Sequence, residues 1–380
     1  MTARTVARGQ SFDVPALDGI RALSVLLVFV AHAGLGDRVP GGFGVTVFFF
    51  LSGYLITTLL RLEADWLGRI SLRDFYLRRA LRILPPMYLV LLAAIAATLA
   101  GVLPGSISVA VTAIQAVHLS NYYSIVRGWD GLAPGTAIYW SLAVEEHFYL
   151  MFPLTYIVLR RYMGTARRQG AILALVCFGV LAWRVLLVFG FAASTDRTYI
   201  ATDTRIDSIL FGCILAIYGN PALDDARVPE RVWKWALVPL AVVGLLISFL
   251  VRDPRFQETV RYSLQGLALF PLFVVAIRYP AWGPFRILTI PLIRYVGVLS
   301  YAIYLIHQIV IFVVYAHLPA HPVVQGAIAL AISVSLALVV HVLVERPCAG
   351  LRRKLARIHR TASDADPLPH HGDAPARLPA

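Results

Sequence analysis

The sequence predicts an all-α, polytopic membrane protein with about ten transmembrane helices and both termini cytoplasmic. Three observations predict it. Of 380 residues, 59% are hydrophobic and only 14% charged, where soluble domains average about 45–50% and about 25%. Mean hydropathy is +0.73. The apolar residues gather into long runs near the ~20 residues that a spanning helix needs. A compact soluble chain cannot hide that much apolar surface. A soluble enzyme, a disordered tail protein and a disulfide scaffold are thereby excluded.

The runs lie at 17–34, 42–60, 83–103, 139–159, 170–192, 205–219, 235–251, 262–278, 295–316 and 322–344. The segment 205–219 is short, and the apolar run 83–117 has no clear exit point. With the N-terminus inside, the inner segments carry 25 Lys and Arg and the outer loops 7. That asymmetry obeys the positive-inside rule and explains most of the +13 net charge without nucleic acid. Three parts follow: a cytoplasmic tail 1–16, a membrane domain 17–347, and a basic then disordered cytoplasmic tail 348–380. Ala31-His32-Ala33 imitates a signal-peptide cleavage site, but Asp13, Asp18 and Arg21 precede the run, which is poor signal-peptide design. Cys177, Cys213 and Cys348 are far apart, have no metal-like spacing and read as small apolar residues.

Ionisable groups within spans are costly and face cavities or partners. Here they are Arg21, His32, Glu145, Glu146, His147, Arg184, Asp207, His307 and Glu345. Arg21 and His32 stand eleven residues apart, about 1100° of helix rotation, so they share one face at a separation of roughly 16 Å. An imidazole deep in the membrane can serve as a general base near neutral pH. Glu145 and Glu146 sit about two turns below the outer surface and diverge by about 100°, so one of them is placed to face His32 and the other to pair with Arg184. Depth puts His32, the two glutamates, Arg184 and Asp207 in one outer layer, with His307 deeper. Arg73, Arg78, Arg79 and Arg82 crowd the start of the third helix, an arrangement suited to polyphosphate or to lipid headgroups.

Seven blocks, in order, carry a family resemblance. They are Leu17-Asp18-Gly19-Ile20-Arg21-Ala22-Leu23 with His32; Gly44 through Phe48-Phe49-Phe50-Leu51-Ser52-Gly53-Tyr54; Phe75-Tyr76-Leu77-Arg78-Arg79-Ala80-Leu81-Arg82 through Pro85; Tyr139-Trp140-Ser141 through Glu145-Glu146-His147-Phe148-Tyr149; Arg205-Ile206-Asp207 through Gly212; Ser300-Tyr301-Ala302-Ile303-Tyr304-Leu305-Ile306-His307; and Glu345-Arg346-Pro347. Together they resemble the acyltransferase-3 family of bacterial membrane acyltransferases.

The resemblance implies a ten-helix protein of the bacterial cytoplasmic (inner) membrane. It would move an acyl group, usually acetyl, from cytoplasmic acyl-CoA to a hydroxyl of a carbohydrate or other acceptor. It implies His32 as catalytic base or acyl carrier, assisted by Glu145 or Glu146. Arg21, Arg78, Arg79 and Arg82 would contact the donor. Tyr139, Trp140, Asn121, Arg184, Asp207 and His307 are candidate substrate contacts, and no metal is implied. His147 stands where the family usually has Gln, and no SGNH-type domain is appended, so the membrane domain is expected to act alone, as a homo-oligomer or with a partner acyltransferase. Acceptors across the family include O-antigen, exopolysaccharide, peptidoglycan, glycolipids and macrolides.

Competing readings are a transporter or flippase, for which no repeat symmetry is visible, and a glycerolipid acyltransferase suggested by the His32 to Asp37 spacing. The stretch 102–138, with Asn121, Tyr122, Tyr123 and Trp129, offers amide and aromatic groups of the kind that contact sugars.

Overall fold

The computed structural model describes residues 13–364, with side chains as far as Leu355. Arg4, Arg8 and the tail from residue 365 onward lie outside the described residues. The chain begins with α1 (Pro15–Val30), which passes through a π-turn at Ala31–Leu35, then α2 (Gly41–Leu67) and α3 (Leu72–Leu99). Short helices α4 (Val109–Ala116) and α5 (Ser120–Arg127) lead to α6 (Tyr139–Met163) and α7 (Ala166–Val185). Next come α8 (Thr195–Tyr199), α9 (Thr202–Ile217) and α10 (Glu230–Val232), the last running through a π-turn into α11 (Val238–Leu250). The remainder is α12 (Pro254–Glu258), α13 (Val260–Arg278), α14 (Pro291–His317), α15 (Pro322–Val340) and α16 (Arg346–Asp364). No strand occurs among the described residues.

Among these residues, nine helices are long and apolar enough to cross a membrane. The tenth expected segment, 205–219, corresponds to α9. At 16 residues it extends about 24 Å, less than the ~30 Å hydrocarbon core. It is a buried helix wedged among α2, α7 and α13, and it runs alongside α2 from Thr46, near the start of α2, to Arg61 at the basic end. The run 83–117 resolves into α3, which ends at Leu99, and the separate α4.

Local chemistry sets the boundaries. Ser71 and Thr165 accept hydrogen bonds from the third residues of α3 and α7, satisfying donors that a helix start leaves free. Pro291 and Pro322 open α14 and α15, where a missing N–H costs nothing. Gly68 adopts φ +68° to end α2. Pro85 and Pro86 interrupt the hydrogen bonding of α3. Next to that break, the Tyr301 hydroxyl of α14 donates to the Ile83 carbonyl at 2.9 Å, tying α14 to α3.

The centre is held by α1, α2, α9 and α14. Small residues let backbones meet there. A Cβ on Gly53 of α2 would collide with the Ile209 carbonyl of α9, and one on Gly212 of α9 with the Phe50 carbonyl of α2. Gly212→Ala is therefore expected to destabilise the bundle by about 3 kcal/mol, at the upper end of overpacking costs. The unfolding midpoint in detergent measures it, and an unshifted midpoint would refute so close a crossing. At the basic end, the Arg61 guanidinium donates to both oxygens of Asp224 (3.0 and 2.5 Å), tying α2 to the segment after α9. Helices α1 and α14 start at this end and run side by side, which sets the depth of the residues described next.

Candidate active site

His32 sits where α1 breaks. The π-turn and the left-handed Gly34 (φ +94°) end regular winding, and Tyr315 donates to the freed Ala33 carbonyl at 2.8 Å. The His32 ring packs on that of His307 with centroids 5.1 Å apart, and His32 Nδ1 lies 2.8 Å from His307 Nε2. His307 Nδ1 lies 2.7 Å from the Tyr304 carbonyl oxygen. A carbonyl only accepts, so His307 Nδ1 carries the proton and Nε2 is the acceptor. His32 must then donate from Nδ1. Its Nε2 is left with a free lone pair, the form a general base requires. His307 is fully buried, whereas His32 is exposed to a cavity.

That cavity, of about 470 Å³, opens away from the basic end. Trp140, Tyr262, Arg252 and Arg261 line it with His32. Arg205 lies beneath, fully buried, with its guanidinium 4.0 Å from the Tyr262 ring centre and with the Phe49, Trp140 and Tyr199 rings around it. It donates to Thr46 Oγ1 (3.0 Å) and to the Tyr199 carbonyl (3.3 Å), so aromatic faces take the place of a carboxylate.

A second cavity, of about 100 Å³, lies toward the basic end and is lined by Arg21, Arg79, Arg82, Glu145, Tyr149 and Ser52, among others. Tyr149 donates to Glu145 Oε2 at 3.4 Å and is also hydrogen-bonded to Ser52. Arg79 stacks over the Tyr149 and Phe75 rings at 5.5 and 5.9 Å. Arg21 pairs with Asp18 at 2.7 Å. Arg352 of α16 faces Arg82 and Arg78. The two cavities share Val45 and Tyr304. The Tyr304 hydroxyl is held by Ser141 Oγ at 2.7 Å and the Ile138 carbonyl at 3.3 Å.

Several expectations from the sequence need correction. Neither glutamate partners His32; Glu145 faces the second cavity, and His307 holds His32. His307 is not deeper than His32. Helix α14 starts at Pro291 rather than near 295, which lifts His307 by about 6 Å, and both histidines stand some sixteen residues into helices that start together. Arg184 pairs with Asp207 (3.0 and 2.7 Å), not with a glutamate, and also donates to Ser263. Both members are fully buried and line neither cavity. His307 likewise faces His32 rather than open space. Asn121 donates to the Ile200 carbonyl and Thr202, and Trp129 to Asp196, so these groups fasten the 102–138 stretch to α8 and α9. Tyr139 is buried with its hydroxyl toward the Met87 carbonyl at 3.4 Å, while its neighbour Trp140 reaches the larger cavity. Arg78 pairs with Glu63 at 2.7 Å and, unlike Arg79 and Arg82, does not line the second cavity. Glu146 is partly buried with Oε1 unpartnered.

Tyr304, Tyr149, Ser52, Arg252, Arg261 and Arg352 were not singled out by sequence reasoning. The first three lie within the motif blocks and were legible there. The outer arginines looked like ordinary loop charges.

A histidine with a fixed tautomer lines the larger cavity, which adjoins a smaller basic one at Val45 and Tyr304, and such a pair of sites suits a membrane protein that transfers a group from one cavity to the other. The chain belongs to the acyltransferase-3 family: the family model described as "Acyltransferase domain" matches residues 14–342. It is 29% identical over 316 residues to O-acetyltransferase OatA of Staphylococcus aureus strain NCTC 8325, and equally to that of strain COL. The match covers 79% of this chain and 51% of each relative, so the chain spans about half the length of the curated relatives it matches. No solved structure matches it.

Proposed function

We propose that this protein is an acyl-CoA-dependent O-acyltransferase of the bacterial cytoplasmic membrane, transferring acetyl to a hydroxyl of an envelope or exported carbohydrate. One observation carries the reading: a cavity lined by arginines and a cavity holding His32 adjoin at Tyr304 and Val45. With the basic end cytoplasmic, CoA phosphates stay at Arg79, Arg82 and Arg352, where guanidinium groups pair with phosphate oxygens. The pantetheine arm brings the thioester toward Tyr304. The acceptor enters the larger cavity, and His32 Nε2 takes the proton from its hydroxyl as that oxygen attacks the thioester carbonyl. The new ester bond forms as the carbon–sulfur bond breaks, and the departing thiolate takes the proton back from His32, so CoA leaves as the free thiol and the imidazole is neutral again. The OatA names of the relatives supply the acetyl group and the oxygen acceptor.

The test is the donor side. Arg79→Gln with Arg82→Gln is expected to raise the KM for acetyl-CoA at least about tenfold, because charged hydrogen bonds contribute about 1.5–3 kcal/mol each. Release of free CoA thiol by protein in vesicles measures it. An unchanged KM would sink the donor assignment.

A further inference from the structure

The cavity that holds His32 is short of negative charge. Arg38, Arg252 and Arg261 line it, and Asp37 is the one acidic residue in its wall. Among the described residues, the Arg38 and Arg252 side chains have no hydrogen-bond or ion-pair partner. Arg261 spends two N–H groups on neutral oxygens, Gln257 Oε1 at 3.3 Å and the Tyr262 hydroxyl at 2.8 Å, and its Nε is buried without a partner. Beneath them, Arg205 adds a fourth cation whose nearby carboxylate, Asp207, is committed to Arg184. Arg38 and Arg252 are exposed at the mouth, whereas Arg261 is half-buried and Arg205 fully buried, and cations withdrawn from water in this way are costly unless an anion completes them. Trp140 and Tyr262 border the same wall, with their rings engaged by Arg205.

We propose that the acceptor is an anionic saccharide, a sugar carrying a phosphate or carboxylate group that Arg252 and Arg261 hold while the ring occupies the cavity beside His32. Guanidinium forks pair with either oxyanion. The charged group anchors the sugar, and a hydroxyl of the same ring faces His32. This deepens the acyl-transfer reading above and rests on it for the fate of that hydroxyl, but binding of the anion stands by itself. Anionic lipid headgroups share the oxyanion chemistry, and the test separates the two sources.

The full-length protein in phosphatidylcholine nanodiscs is titrated with N-acetylglucosamine 1-phosphate, glucuronate and neutral N-acetylglucosamine at matched ionic strength. The anionic probes are expected to bind at least about tenfold more tightly than the neutral one. Arg252→Gln with Arg261→Gln is expected to narrow the difference to about threefold without shifting the unfolding midpoint, whereas Arg261→Lys keeps most of it. Equal binding of all three probes, no saturable binding of either anion, or a preference that survives the double glutamine variant would each overturn the proposal. So would a preference abolished by phosphatidylglycerol nanodiscs, which would give the arginines to lipid headgroups. Anion preference without CoA release from acetyl-CoA would sink acyl transfer alone. CoA release without anion preference would sink the present proposal alone.

Discussion

His32→Ala is expected to cut acyl transfer by about 10²–10⁴-fold, the usual contribution of a positioned general base, while the protein still inserts and folds. The fold should survive because His32 has a single side-chain partner, His307 Nε2, and otherwise borders open space. Removing the ring leaves that nitrogen facing a cavity that water can enter. The chemistry should not survive, because no other side chain of the larger cavity offers a neutral nitrogen with a free lone pair. CoA release with purified protein, normalised to the monodisperse fraction, makes the measurement. An active His32→Ala protein would end the assignment of this histidine as base or acyl carrier.

The second large effect falls on folding. Asp207→Ala is expected to destabilise the protein by about 3–5 kcal/mol, because it strands a buried guanidinium. Arg184 is fully enclosed, and Asp207 receives two of its N–H groups. The monodisperse yield in detergent should collapse. Removing both charges, as Arg184→Met with Asp207→Leu, should restore much of the yield, since replacing a buried pair is far cheaper than halving it. The restored protein should still release CoA, because the pair lines neither cavity. Normal yield of the single variant, or a folded double variant without activity, would return these residues to the substrate site.

Much of this architecture could be read from the chain before any coordinate was known. Apolar run length depends only on composition, so nearly every membrane helix was visible. The weak segment 205–219 was weak for a physical reason: α9 is shielded by its neighbours and needs neither full length nor a lipid-facing surface. Lateral pairing was not legible. Helical rotation places Glu145 on a face but does not say which helix that face meets, and the partner of His32 came from α14 instead. Depth failed through one boundary. Arg294 reads as a loop charge, yet it lies in the first turn of α14 and reaches toward Asp13 at 3.7 Å, so the helix starts earlier than its apolar stretch. The positive outer cavity was hidden because Arg252 and Arg261 lie in separate turns of sequence that meet only when α11 and α13 pack together.

Tyr304 has a further bearing, on bioenergetics. A continuous column of water between the two cavities would let protons run down their gradient and dissipate the membrane potential. The cavities adjoin at Val45 and Tyr304, and the phenol is pinned by two hydrogen bonds, to Ser141 and Ile138. A hydrated ion must strip its shell to pass such a wall, at a cost of several kcal/mol. An uncharged two-carbon fragment does not. In the proposed reaction the donor binds on one side and the acceptor on the other, so that cleavage of the thioester would itself drive export of the acetyl group, with neither ion gradient nor nucleotide spent on the crossing.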